Sequence, residues 1–381
     1  MITIDNTLFK DFDLNIHSRF MGKLSESLYS ALYDSIFFDI ETTGLSARNS
    51  MCYLIGVAYL EDNQWCYTQW FADRPEHERD IINAFFEKIK QYKYLVHFNG
   101  DSFDIPFLEQ RCRLMELPYS FKSEPNASIV SIDLFKRIRR LSVLLQLDNY
   151  RQKSIEQFLN IYRDDKYSGG ELIDFYKKYV IQKDNETKDL LLLHNHDDIA
   201  GLVNILPILS YEEYLSCNLE CINSCELNET ADFDGNPIKE LLISAKLPVT
   251  VPVRLTLNQE PYYIIISDSS VKMRVKIFNT ELKYFYPNYK DYYYLPDEDT
   301  AIYKSVASYV DKSHRIQAKA DTCYVRKNGE FIPQPESVIT PAFKESHKAS
   351  NSYFEVSLDF LNDTDKQLQY VRAVIFGTVS S

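Results

Sequence analysis

Two acidic residues interrupt a short apolar segment near the start of the chain. Residues 36–41 read Ile-Phe-Phe-Asp-Ile-Glu and are followed by Thr-Thr-Gly, which is typical of a buried strand that ends in a turn. Side chains two apart on a strand share a face, so Asp39 and Glu41 are predicted to lie side by side. Two carboxylates in an apolar setting need a cation, unless the strand ends at Ile40 and both are solvated turn residues.

The surrounding residues predict an α/β domain rather than an all-helical or all-β one. Short runs of β-forming residues are separated by stretches with apolar residues at helical spacing. We expect one domain of strands and helices over residues 31–210, preceded by an N-terminal arm over residues 1–30. The predicted strands after the first cover residues 53–59, 64–71 and 94–98, with a helix over 76–92 and a mainly helical region over 106–209.

The second half of the chain has a different pattern. Cys217, Cys221 and Cys225 recur every four residues, which predicts one stripe of a helical connector over residues 211–245. Alternating apolar and polar residues then predict a mostly β accessory domain over residues 246–381. One amphipathic helix is expected within it, over residues 301–310.

The charge of the chain is acidic, with 42 Lys and Arg against 55 Asp and Glu and a formal net charge of -13. No global positive field attracts nucleic acid to such a protein. The densest basic cluster is local and either contacts phosphates or forms an ordinary solvated face. Its members are Lys136, Arg137, Arg139 and Arg140.

The seven cysteines are odd in number and scattered, which is typical of reduced thiols. No apolar run approaches the roughly 20 residues needed to span a bilayer, and no signal peptide pattern begins the sequence. We therefore expect a cytoplasmic protein without a membrane partner.

Three further residues complete a set that can do chemistry. Asp104 stands directly before Ile-Pro at a predicted helix start, where it is either a metal ligand or a simple helix cap. His194 and Asp198 are four apart on a helix predicted over residues 188–209, which places them on one face. That face is either part of a site or merely the wet side of the helix.

Three sequence segments together resemble the exonuclease motifs of the DEDD (DnaQ-like) 3′-to-5′ exonuclease superfamily, with the bacterial YprB-like branch as the closest likeness. The likeness runs over residues 37–206 and implies a ribonuclease H-like fold, an α/β architecture with a mixed five-stranded sheet flanked by helices. It also implies that Asp39, Glu41, Asp104 and Asp198 hold two Mg²⁺ or Mn²⁺ ions and that His194 is the general base. The three segments are Phe-Asp-Ile-Glu-Thr-Thr-Gly-Leu from residue 38, Asn-Gly-Asp-Ser-Phe-Asp-Ile-Pro-Phe-Leu from residue 99 and His-Asn-His-Asp-Asp-Ile from residue 194.

The resemblance also implies contacts to the terminal nucleotide, through the backbone of Thr42 and the side chain of Leu45. Asn99 either hydrogen-bonds the substrate or stabilises its own turn. The third motif departs from the superfamily, whose main branches have Tyr four residues or His five residues before the last Asp. Here His194 is four residues before Asp198, so it combines the spacing of one branch with the residue of the other.

The function that the resemblance implies is a metal-dependent 3′-to-5′ exonuclease. Such an enzyme hydrolyses phosphodiesters at the end of single-stranded DNA or RNA and releases nucleoside 5′-monophosphates. An alternative is a catalytically inactive nucleic-acid-binding or scaffold protein of the same fold. An endonuclease of this fold is a third possibility.

Overall fold

The computed structural model describes residues 1–8, 22–122, 129–163, 167, 169–231 and 235–380. The chain forms two compact units. The first consists of Met1–Tyr211 with Val249–Val253, and the second of Glu212–Pro248 with Arg254–Ser381. Residues 9–21 of the predicted N-terminal arm lie outside the described residues.

A six-stranded mixed sheet organises the first unit, in the order β1-β4-β3-β2-β5-β6. The four strands from β1 to β2 in this order pair antiparallel, whereas β5 and β6 continue the sheet in parallel. The bounds are β1 (Ile2–Thr7), β2 (Ser35–Thr42), β3 (Cys52–Glu61), β4 (Gln64–Phe71), β5 (Tyr94–His97) and β6 (Val130–Asp133).

The expected mixed sheet flanked by helices is confirmed, with one more strand than predicted. The residue pattern located neither β6, within the region predicted as mainly helical, nor the edge strand β1, which pairs along its whole length with β4. In β1, Ile2 and Ile4 are the apolar residues that share one face, and the residues between and after them are polar. An edge strand need not bury side chains on both of its faces, so its sequence carries a weaker pattern. The sheet therefore has six strands where five were expected.

Strand β2 lies inside the sheet and explains why its sequence is apolar before the acids. Ile36, Phe37 and Phe38 are all buried, so both faces of the strand are covered. On one face Phe38 packs against Phe85 of the following helix, and on the other Phe37 packs against Trp65. This burial fixes the strand position from which Asp39 and Glu41 project.

Eight helices of the first unit surround the sheet among the described residues. The longest is α8, which begins after its cap residue Asp184, whose carboxylate accepts a hydrogen bond from the backbone N–H of Thr187. The bounds are α1 (Glu26–Ala31), α2 (Glu78–Ile89), α3 (Asp104–Leu114), α4 (Leu134–Arg140), α5 (Ser142–Leu145), α6 (Gln152–Phe158), α7 (Gly169–Gln182) and α8 (Asn185–Asn204).

The second unit consists mainly of antiparallel strands. Five strands form a sheet in the order β7-β8-β11-β10-β9, and two three-stranded sheets have the orders β12-β16-β17 and β14-β13-β15. The strands are β7 (Cys221–Ala231), β8 (Pro237–Lys246), β9 (Leu255–Gln259), β10 (Tyr262–Ser267), β11 (Ser270–Lys276), β12 (Phe278–Phe285), β13 (Tyr292–Leu295), β14 (Thr300–Tyr303), β15 (Ile316–Gln317), β16 (Tyr324–Gln334) and β17 (Ser352–Glu355).

The helical connector predicted over residues 211–245 is wrong. Among the described residues of this segment, only α9 (Tyr211–Leu215) is helical, and most of the others form the paired strands β7 and β8. A spacing of four places residues on one face of a regular strand as readily as on one face of a helix. In β7 itself, a register shift between Ile222 and Ser224 interrupts the alternation between Cys221 and Cys225. The cysteine pattern therefore did not distinguish the two structures.

The helix predicted over residues 301–310 is largely replaced by a strand end and a single turn. Residues up to Tyr303 belong to β14, and only α10 (Lys304–Ala307) is helical. The remaining helices of this unit are α11 (Leu358–Leu361) and α12 (Thr364–Ser380). No helix within the described residues has the length and apolar character needed to cross a membrane.

Candidate metal centre

Asp39 and Glu41 project from the same face of β2, close to its end. The strand continues to Thr42 and pairs with β3, with an irregularity in register between Glu41 and Thr42. The acids are therefore strand residues, not members of a solvated turn. Both acids are half-buried at the end of a strand whose preceding residues are buried.

Helix α8 brings a histidine and a third carboxylate to this pair. His194 is 8% exposed, and its Nε2 lies 3.2 Å from Oδ2 of Asp198 and 3.6 Å from Oε1 of Glu41. One ligand atom from each of these three residues lies within 4.8 Å of the others. The helix face that carries His194 and Asp198 is thus turned towards β2 and is not the wet side.

Asp104 is the first residue of α3 and is 8% exposed. The cap position is occupied by Phe103, so a simple capping role does not describe this acid. Burial raises the pKa of Asp104 to about 7, although backbone hydrogen bonds at Asp104 and Ile40 act in the opposite direction. The involvement of Ile40 places this carboxyl group against β2, beside Asp39.

The charges of the cluster oppose one another. Burial raises the pKa of Asp39 well above its usual range, and the negative charges of Asp198, Asp104 and Glu41 raise it further. Burial alone would raise the pKa of Asp198 too, but His194 and Arg163 lower it below its usual value. Additional positive charge is needed for all four acids to be ionised together.

Asn195 was not predicted, yet it holds Asp39 in place. This amide is fully buried, and its Nδ2 donates to Oδ2 of Asp39 over 3.0 Å. Its Oδ1 accepts from Nε2 of Gln69, also on the sheet, over 2.9 Å. Gly56 lies between Asp39 and Gln69 in the sheet and pairs with both, so Asn195 bridges the two across a residue without a side chain.

We expect Gly56→Ala to destabilise the first unit, because an added Cβ would overlap Oδ1 and Cγ of Asn195. The helix and the sheet would have to separate, with a loss of about 1–3 kcal/mol in the free energy of unfolding. Both tryptophans of the chain, Trp65 and Trp70, lie in this unit, so urea denaturation followed by tryptophan fluorescence measures it. The control is Gly169→Ala, which meets open space; an equal loss there would contradict the close approach at Gly56.

Arg163 also escaped prediction and lies on the other side of Asp198. It is 8% exposed, its Nη1 donates to Oδ1 of Asp198, and its Nε donates to Oε2 of the buried Glu156 over 2.5 Å. Gln152 donates to Oε1 of Glu156 over 3.1 Å and to the backbone carbonyl of Asp198 over 2.9 Å. Gly201 of α8 has no side chain, and a Cβ there would overlap Glu156, Arg163 and Gln152.

The predicted substrate-contact residues occupy different settings. Thr42 Oγ1 donates to the carbonyl of Gly44 over 3.0 Å, whereas Leu45 is 87% exposed. Asn99 has a left-handed φ of 61°, and its N–H donates to Oδ1 of Asp133 over 2.9 Å, so its backbone stabilises a turn while its side chain stays exposed. Asp133 also caps α4 through the N–H of Phe135.

The donor set fits a hard divalent cation. Carboxylate oxygens are the ligands that Mg²⁺ and Mn²⁺ prefer, and a single histidine nitrogen is compatible with Mn²⁺. Asp39, Glu41, Asp104 and Asp198 would hold such ions, whose charge would offset the repulsion among the buried acids.

Comparison with known protein families matches residues 36–210 to the RNase H superfamily. Among solved structures, the chain is similar to the family B DNA polymerase from the hyperthermophilic archaeon Pyrobaculum calidifontis, with 14% sequence identity and a TM-score of 0.39. This similarity covers 48% of the present chain and 25% of the polymerase, so the chain spans about a quarter of that protein. No curated protein matches the chain. Residues 36–210 thus match the RNase H superfamily, and the mixed sheet with its flanking helices fits the RNase H-like fold.

Proposed function

We propose that the protein is a metal-dependent 3′-to-5′ exonuclease of the DEDD type that acts on single-stranded DNA or RNA. The products would be nucleoside 5′-monophosphates. The observation that supports the proposal is the approach of residues far apart in sequence. Glu41 of β2 and His194 and Asp198 of α8 offer ligand atoms within 4.8 Å of one another. Asp39 of β2 interacts electrostatically with Glu41, Asp198 and Asp104 of α3.

Each residue of this group has a role in the proposed reaction. The four carboxylates would hold two cations, and this bound charge would offset the negative charge that develops on the phosphodiester and on the leaving oxygen. His194 presents Nε2 towards Glu41 and Asp198, where it can take a proton from the attacking water. Leu45, which is exposed and lies four residues after Glu41 in the chain, would contact the last base and limit how far the strand enters.

One observation supports the alternative of a nucleic-acid-binding protein without turnover. The guanidinium of Arg163 contacts Oδ1 of Asp198 and supplies some of the positive charge that a cation would otherwise provide. If this ion pair replaced a metal ion, the protein would bind strands without cleaving them. Mn²⁺ titration by isothermal calorimetry distinguishes the two, since the alternative predicts no binding that depends on the acids.

We expect the purified protein to shorten a 5′-labelled linear single strand from its 3′ end in Mg²⁺ or Mn²⁺ and to leave a circular single strand intact. The reason is that a free terminus must enter the site. The measurement is a time course on denaturing gels with DNA and RNA in parallel, with EDTA as the metal-free control.

Three outcomes would contradict the proposal. Cleavage of the circle at the rate of the linear strand would indicate an endonuclease. Digestion that continues in EDTA would exclude metal dependence. Release of nucleoside 3′-monophosphates, identified by mass spectrometry, would mean that the other P–O bond is broken.

A further inference from the structure

A groove of about 530 Å³ runs along the surface of the first unit, next to the candidate metal centre. It is bordered by the turn after β5, by α4 and by the segment that leads into α6. Gln152 lines the groove and also donates to the backbone carbonyl of Asp198, so the groove lies directly beside the site. The other lining residues that matter here are Phe98, Asn99, Phe135, Arg139, Tyr150 and Arg151.

The charge of this surface is opposite to that of the chain. Residues 134–153 contain six Lys or Arg and one acid, Asp148, in a protein whose formal charge is -13. Of these charged residues, Arg139, Arg151 and Asp148 line the groove itself. Lys136 is engaged by Asp101 over 2.5 Å. Arg139 and Arg151 are exposed in the groove and form no ion pair within the part of the chain that the structure describes. Exposed arginines in an acidic protein offer local contacts to an anion.

Aromatic side chains line the same groove as the two arginines. The Phe98 and Phe135 rings are in edge contact with centroids 5.6 Å apart, and both are partly exposed in the groove. The guanidinium of Arg139 lies over the ring of Tyr150 at 4.8 Å, which holds it in a defined orientation. Proteins bind single strands by combining basic residues, which contact the phosphates, with aromatic rings, on which the bases stack.

We propose that this groove binds the nucleotides that precede the terminal one of a single-stranded nucleic acid, with Arg139 and Arg151 on phosphates and Phe98 and Phe135 against bases. The inference rests on the proposed function, because it assigns the strand that enters the metal centre to a specific surface. It adds a binding site that the metal ligands do not require.

The test is binding of 5′-fluorescein oligonucleotides of two to eight nucleotides, DNA and RNA, by fluorescence anisotropy in EDTA, which separates binding from cleavage. We expect affinity to increase with length beyond two nucleotides. Arg139→Gln with Arg151→Gln should weaken octanucleotide binding about tenfold or more and lower the salt dependence by roughly 0.7 per lost phosphate contact. Phe135→Leu should weaken binding without changing the salt dependence.

The matched control removes two exposed charges elsewhere in the same unit, Arg113→Gln with Lys178→Gln, and should leave affinity unchanged. Arg139→Lys with Arg151→Lys should restore most of the binding. A measurement on the unaltered protein needs no variant: methylphosphonate linkages two to four nucleotides from the 3′ end should weaken binding as the double Gln variant does. Equal losses in groove and control variants, no effect of the methylphosphonates, or no binding of either nucleic acid would overturn the proposal.

Failure of this inference and failure of the proposed function are distinguishable. Hydrolysis of a p-nitrophenyl ester of thymidine 5′-monophosphate in Mn²⁺ needs the metal centre but not the groove. Retained ester hydrolysis together with groove variants that bind normally would reject the groove alone. Groove-dependent binding without any hydrolysis would reject the enzyme alone.

Discussion

Asp39→Asn is expected to abolish metal-dependent hydrolysis while making the metal-free protein more stable. The substitution removes a charge that Asp198, Asp104 and Glu41 repel, and it keeps an oxygen that can accept the hydrogen bond from Asn195. Cations contribute several kcal/mol of transition-state stabilisation, so we expect a loss of about three to five powers of ten in kcat. The unfolding midpoint in EDTA, followed by tryptophan fluorescence, should rise.

Adding Mn²⁺ separates a lost ligand from a damaged fold. It should raise the unfolding midpoint of the unaltered protein and leave that of Asp39→Asn almost unchanged, because a ligand stabilises only a state that binds it. Asp189→Asn, an exposed acid on α8, is the control and should keep both activity and the response to Mn²⁺. Full activity in Asp39→Asn would remove Asp39 from the proposed metal centre.

Arg163→Met should be the most destabilising single change near the site. It leaves Glu156 buried without its cation and removes a donor from Asp198. Removal of one partner from a buried ion pair costs about 3–5 kcal/mol. Urea denaturation with tryptophan fluorescence measures this loss, and Arg163→Lys should recover part of it.

Two further variants test the explanation. Glu156→Gln combined with Arg163→Met should be more stable than Arg163→Met alone, since the uncompensated buried charge is gone. Lys177→Met removes one partner of the exposed pair with Asp174 and should cost less than about 1 kcal/mol. A loss in Arg163→Met as small as that in Lys177→Met would mean that Arg163 is not buried as described.

The sequence predicted those features of the fold and the site that depend on residues close together in the chain. The apolar run before Asp39 predicts a central strand because both of its faces are covered, and the spacing of His194 and Asp198 predicts a shared helix face. Both features depend on neighbours in the sequence, which a pattern records. The roles assigned to the metal ligands, to His194 and to Thr42, Leu45 and Asn99 remain predictions.

The features that were missed depend on distant contacts. Nothing near Asn195 indicates that its partners are Gln69 and Asp39, 126 and 156 residues away in the chain. Arg163 resembles any charged residue after a helix until Glu156 and Asp198 are seen on either side of it. Strand β1 is an edge strand without a strong pattern, and the evenly spaced cysteines fit a helix and a strand equally well.

Asn195 links Gln69 to Asp39 above Gly56, and this link bears on how the candidate metal centre assembles during folding. The hairpin and β2 can form early, but they remain an incomplete set of acids until α8 docks on them and delivers its histidine and aspartate. Contacts of such long sequence separation form late in folding. Under the proposed function, a ribosome-bound chain that ends before Asp198 would lack one acid of the metal centre, and hydrolysis would begin only once the domain is complete.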